Sequence, residues 1–109
     1  MANLVDWILH AANGEPVQAV VIGEMGWGDY GSHAVPGYED MPKGKVLAWE
    51  EAKRWLSYEF YAGYGAPSCQ AIYAWTKGRV IYTWQYDGST HIGWAPRNPE
   101  ERMPVMVGG

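Results

Sequence analysis

The 109-residue sequence predicts an α+β domain, with two helices packed on a mainly antiparallel four-stranded sheet in the order α-β-long loop-α-β-β-β. Three observations carry that reading. Residues 4–13 and 48–62 repeat apolar side chains every three to four positions, the helical spacing. Residues 17–24 hold an apolar run too short for a helix. Residues 69–94 are rich in Tyr, Trp, Ile and Thr and are interrupted by two Gly-containing turns.

The first helix follows from Leu4, Val5, Ile8, Leu9 and Ala12, with Asn3 as N-cap and Asp6 on the first turn. Asn13-Gly14 is a left-handed stop, and Pro16 prevents the helix from resuming. Ala19-Val20-Val21-Ile22 then reads as an interior strand covered on both faces. Residues 25–45 carry five glycines and two prolines and keep no period. A loop beyond about 12–15 residues is unusual unless it has a task, so this stretch is a carrier of function. In the second helix Trp49, Ala52, Leu56 and Phe60 form the inward stripe, Glu50 and Arg54 pair outside, and Gly63 closes the helix. Lys77-Gly78 and Asp87-Gly88 turn a three-stranded meander, 69–76, 79–86 and 89–94. Residues 96–109, with three prolines, make an extended or partly disordered tail, and 97–102 reads as a solvated exit loop. The whole chain, 1–109, is taken as one domain.

Composition narrows the function classes. A net charge of −4 with scattered Lys and Arg argues against general nucleic-acid binding. The lone Cys69 points to a reducing compartment. The N-terminus lacks a signal-peptide pattern, and the longest apolar run is far below the ~20 residues of a membrane span, so a soluble cytoplasmic protein is expected. Seven Trp and eight Tyr against one Phe mean that nearly every ring carries a polar atom.

Counting from two-residue turns sets Trp75 opposite Val80, Tyr73 opposite Tyr82, and Trp84 opposite both Ala71 and His91. One face then collects Cys69, Ala71, Tyr73, Trp75, Val80, Tyr82, Trp84, Tyr86, His91 and Gly93. The other collects Ile72, Ala74, Ile81, Thr83, Ile92 and Trp94 and is assigned to the helix-covered core, with Gln70, Arg79 and Gln85 at its margin. The Tyr/Trp face is either a second core layer roofed by residues 25–45 or an open platform for a partner.

Candidate chemistry is thin. Glu24, Asp29 and His33, with His91 or Cys69, could form an acid–base or metal site, yet their spacing matches no ligand pattern, so no metal and no cofactor are assigned. A Cys69–His91 nucleophile pair shares one face but is not directly opposed. Gly23-Glu24-Met25-Gly26-Trp27-Gly28 lacks the spacing of phosphate-binding turns.

The segments VVIGEMGWGDYG, WEEAKRWL, AIYAWT and QYDGSTHIGWAPRNP resemble those of small uncharacterised proteins of phages and other mobile elements. That resemblance implies an inhibitor of host defences, anti-CRISPR-like in setting. The leading expectation is therefore a non-enzymatic binding protein that occupies the surface of a protein partner, a larger nucleoprotein complex included. Expected contacts are Trp27, Tyr30, Tyr38, Tyr82, Trp84 and Tyr86, with Asp29, Glu39 and Asp40 meeting a basic surface. The rival expectation is a small-molecule binder or small enzyme that uses the same rings with His33 or His91.

Overall fold

The computed structural model describes residues 1–26, 31–65 and 67–106, and of His33 only the backbone. Strand β1 (Ala2–Asn3) leads directly into helix α1 (Leu4–Ala12). The Asn3 side chain accepts from Val5 N at 2.8 Å and Asp6 N at 3.4 Å, supplying partners for two of the helix's orphan donors. Asn13 stands at φ 52°, in the left-handed region, and its N–H returns to His10 O. Both ends are as the sequence predicts.

Strand β2 (Ala19–Met25) pairs on one side with β3 (Val46–Leu47) and on the other with β5 (Gln70–Trp75). Strands β6 (Arg79–Tyr86) and β7 (Ser89–Pro96) complete an antiparallel sheet of order β3-β2-β5-β6-β7. The fold is α+β, with five strands here in place of the four expected. The extra strand arises at Gly44, where φ is +74° and the N–H reaches Ile22 O, so the chain leaving the long loop lies along β2.

Helix α2 (Trp49–Leu56) ends six residues before the predicted boundary. The Ser57 hydroxyl donates to Lys53 O at 2.5 Å, and the chain straightens into β4 (Glu59–Phe60), which pairs with β1. Phe60 therefore leaves the helical stripe but is still buried, edge-on to Trp7 at 5.3 Å. Glu50 pairs with Lys53 at 3.0 Å, not with Arg54 as the spacing suggested.

Helix α1 packs on β6 and β7, and α2 on β2. The layer between holds Leu4, Ile8, Ala52, Leu56, Ala74 and Ile81, all closed to solvent. Ile72, Ala74 and Ile81 lie on the face assigned to the core, while Ile92 and Trp94 are only half-buried at its rim. Val20 and Ile22 point inward, but Ala19, Val21 and Gly23 are half-exposed, so β2 is not covered on both faces. From the long loop, Val35, Tyr38 and Met41 enter the core, and Gly37 lies against the Trp55 ring.

Glu15 ties the helix exit to the β5–β6 turn. Its carboxylate accepts from the Thr76 hydroxyl at 2.6 Å and from Gly78 N at 3.3 Å. The Thr76 bond, the Gly78 N–H and the charges of Arg79 and Lys77 together hold its pKa below the ordinary carboxylate value against a smaller opposing effect of burial. A pKa lowered in the folded state gives stability that is present above the unfolded value and fades as pH falls through the folded one. Glu15→Gln should therefore be less stable than wild type at pH 7, the difference vanishing in strong acid. Urea midpoints that differ equally at every pH would refute that linkage.

Strand β7 is an edge with no charged residue and no proline before Pro96, features that ordinarily blunt edges. The chain itself clasps it instead. Thr90 N donates to Ala62 O at 2.8 Å, and Arg102 Nη1 donates to Trp94 O at 3.2 Å. The Trp94 ring lies between the guanidinium groups of Arg79 and Arg102, each 3.6 Å from its centre. Arg97 bonds Thr76 O and Gln18 Oε1. Residues 97–102 are exposed, as expected of a solvated exit loop, and are anchored at both arginines.

Candidate functional site

Side chains alternate across the sheet, so the face opposite the helices carries Ala19, Val21 and Gly23 of β2, Ala71, Tyr73 and Trp75 of β5, Val80, Tyr82, Trp84 and Tyr86 of β6, and His91, Gly93 and Ala95 of β7. None of these is Asp, Glu, Lys or Arg. Large rings occupy the two central strands, and small residues the flanks.

The turns behave as their residues require. Asp87 and Gly88 take φ 47° and 83°, the two positive values of a two-residue hairpin loop, which sets Tyr86 opposite Ser89 and Trp84 opposite His91. Tyr73 faces Tyr82 and Trp75 faces Val80, also as counted. Cross-strand aromatic pairs of this kind contribute roughly 0.2–1 kcal/mol each. The register fails at one place: β5–β6 pairing ends at Tyr73–Tyr82, so Ala71 does not face Trp84. Ile72 N instead donates to the Thr83 side-chain hydroxyl at 3.1 Å.

The rings are ordered by one another. Tyr73 and Trp75 meet at 6.0 Å, and Trp84 stacks on His91 at 4.6 Å with planes 23° apart. A Cβ at Gly93 would lie 3.1 Å from both the Tyr82 and Trp84 rings, so the absence of a side chain there lets both lie down on β7. Ser89 Oγ lies 2.8 Å from Tyr86 O, to which it can donate, and 2.7 Å from His91 Nε2, which ties the imidazole to the hairpin turn.

Tyr73 is 57% and Tyr86 48% exposed, while Trp75, Tyr82, Trp84 and His91 are half-buried. Among the described residues nothing bonds the Tyr73, Tyr82 and Tyr86 hydroxyls or the Trp75 and Trp84 Nε1 groups. The face is flanked by shallow hollows: about 190 Å³ beside Val21 and Tyr73, and about 270 Å³ between Tyr82 and tail residues Arg102–Val105.

The expected contacts fall into three groups. Tyr82, Trp84 and Tyr86 lie together on this face. Glu39 and Asp40 are exposed on a short 3-10 turn. That turn also carries Tyr38, which is 7% exposed; its hydroxyl accepts from Met25 N at 3.0 Å, and Lys43 Nζ caps its carbonyl and sits 4.0 Å from its ring centre. Tyr38 is thus a core residue. Trp27, Asp29 and Tyr30, and the side chain of His33, lie outside the described residues. Tyr73, the most exposed ring of the face, was missing from the expected contacts although alternation already set it beside Tyr82.

Cys69 does not belong to the face. It is 3% exposed, and burial pushes its thiol up to about 12, so it holds almost no thiolate at neutral pH. A Cys69–His91 nucleophile pair is therefore not formed. Beside it Gln70 is fully buried, accepting from the Tyr58 hydroxyl and donating to Met41 Sδ, while burial also raises the Tyr58 hydroxyl pKa. Native protein should resist iodoacetamide at pH 8 and react fully in 6 M guanidinium; rapid native labelling would contradict the placement of Cys69. Among the described residues no three His, Cys, Asp or Glu side chains converge as metal ligands, and no helix is long and apolar enough to cross a membrane. Comparisons with family models, curated proteins and solved structures find no match for this chain.

Proposed function

We propose that this chain is a non-enzymatic binding protein that acts by occupying a surface of a partner protein, free or within a larger nucleoprotein complex, through the Tyr/Trp face of its sheet. One observation carries the reading: an uncharged face four strands wide, holding five ring hydroxyl and indole groups without intramolecular partners, stands open to solvent among the described residues. Rings of this kind bring large apolar area at little entropic cost, and their polar tips are satisfied on contact. The flanking hollows are shallow, which favours a macromolecular surface over an enclosed small ligand. The phage-type resemblance of the sequence narrows the proposal to an inhibitor of host defence machinery, anti-CRISPR-like in setting, acting in the cytoplasm.

The test is capture from a host lysate with three baits: wild type, Tyr73→Ala/Tyr86→Ala, and Glu51→Ala/Arg54→Ala on the outer side of α2. A partner retained by the first and third and lost by the second supports the reading. A partner lost only with the α2 variant moves the site to the helix.

A further inference from the structure

Register carries the aromatic face onto the fifth strand. Val46 of β3 pairs with Val21, Val21 with Tyr73, Tyr73 with Tyr82, and Tyr82 with Gly93. Residues opposite one another share a face, so Val46, 75% exposed, belongs to the same row as the rings. The neighbouring row runs Ala19, Trp75, Val80, Ala95. Size changes abruptly across one line. On β2 the rows hold Ala19 and Val21, whereas directly alongside on β5 they hold Trp75 and Tyr73. The hollow of about 190 Å³ lies on that line, with Val21, Gly23, Gly44, Ala71 and Tyr73 among its lining residues.

A knob beside a hole is what an isologous contact needs, because a two-fold axis between them puts each knob into the other copy's hole. Such an axis would run parallel to the strands along the boundary of β2 and β5. Sheets stacked face to face lie about 10 Å apart with strands within about 30° of each other, so side chains of facing rows meet. Tyr73 of one copy then lies over Val21 of the other, Trp75 over Ala19, and Tyr82 over Val46. Large meets small each time, and every contact occurs twice. An axis along β5 itself would instead set Tyr73 on Tyr73, and one between β5 and β6 would set it on Tyr82.

Charge favours the same occupant. The chain carries a net charge of −4, so two copies repel wherever their charged surfaces meet. The paired rows contain no Asp, Glu, Lys or Arg, so closing them on each other buries no charge. Glu24, exposed at the end of β2, follows the register shift and lies past those rows. Four strands about 4.8 Å apart and about six residues long hide on the order of 1,000 Å² in total between two copies. That is the low end for a specific contact, and it suits a pair that a tighter partner separates.

We infer that the free chain is a two-fold dimer, the aromatic face of one copy closed on that of the other along the β2–β5 boundary. Self-association goes beyond the partner-binding role but uses the same face, so a second copy and the partner exclude each other.

Sedimentation equilibrium of the full chain, from micromolar to half-millimolar, should show the mass rising from that of the monomer toward twice that value. Val46→Glu alters an exposed side chain that the fold should tolerate, and it should weaken association at least about tenfold, because the carboxylate would lie under Tyr82 of the other copy. Glu51→Ala/Arg54→Ala on α2 should change nothing. A short bis-maleimide checks the axis, native Cys69 being closed to solvent. A mixture of Tyr82→Cys and Val46→Cys chains should cross-link, whereas neither alone should, since the axis sets each of these positions three strand spacings from its own copy. A monomer at every concentration overturns the proposal. So does association that Val46→Glu leaves intact, or cross-linking that is no better in the mixture than in the single variants. If the lysate partner is lost with Tyr73→Ala/Tyr86→Ala while wild type stays monomeric, the face binds a partner and not itself. If the dimer forms as described and capture ignores that pair of substitutions, the partner reading fails and the dimer stands.

Discussion

Gly88→Val should lower the unfolding free energy by about 2–4 kcal/mol, the largest effect expected from a single turn position. Two costs add. Gly88 has φ +83°, which a β-branched residue adopts only with strain, and a Cβ there would sit 3.2 Å from Gly65 N and 3.3 Å from Gly65 O. Those are backbone atoms, held in place where Ala62 O receives Thr90 N, so they cannot turn aside as a flexible side chain would. Gly44 provides the comparison. It has φ +74° with nothing within 4 Å of its Cβ position, so Gly44→Val should bear the conformational cost alone, about 1–2 kcal/mol. Urea denaturation at pH 7 measures both. Equal losses would show that the approach of residues 62–65 to the hairpin tip has no energetic weight.

Tyr73→Ala and Tyr86→Ala should each cost under about 1 kcal/mol of stability yet weaken partner binding by at least about 2 kcal/mol, some thirtyfold. Both rings are about half-exposed or more in the free chain, so truncation removes little buried area. In a complex that area leaves water and the hydroxyl must find a partner, so the loss appears in the dissociation constant. Trp84→Ala is the internal contrast. Its ring is stacked on His91 and lies over Gly93, so folding and binding should both suffer. Parallel loss of stability and affinity in all three variants would mean that the rings act as a second core.

What the sequence revealed and what it hid divide along one physical line. Asn3, Asn13 and Asp87-Gly88 act on neighbours two to four residues away, and each did what its side chain or its φ preference implies. The residues of the aromatic face were readable because alternation and two short turns leave one register for β5, β6 and β7 over most of their length. Its openness among the described residues was not readable. That depends on where Val35, Tyr38 and Met41 settle, and they chose the helix side. Tyr38 looked like any other Tyr until Met25 N and Lys43 Nζ were found on it. The end of α2 was hidden for the same reason: Glu59 and Phe60 have helical spacing but pair with Asn3 and Ala2, far back in the chain. Cys69 was misjudged because it precedes β5 where the β2 register shifts, which no local pattern encodes, whereas Gln70, set at the margin of the core face, proves fully buried.

The order of strands also has a kinetic consequence. Strands β5, β6 and β7 are joined by two-residue turns, so their pairing requires only local closure, on the time scale of hairpins, about 1–10 μs. Strand β2 meets β5 only after the chain from Met25 to Gln70 has closed on itself, with α2 and the long loop inside that span. The meander is thus the expected nucleus, and β2 the later arrival. Substitutions at Ile81 should slow refolding, whereas those at Val20 should chiefly quicken unfolding. Most of the rings that would meet a partner are then in place before the sheet beneath them is complete, so a refolding chain exposes its stickiest surface early and must add β2 quickly to hold it flat.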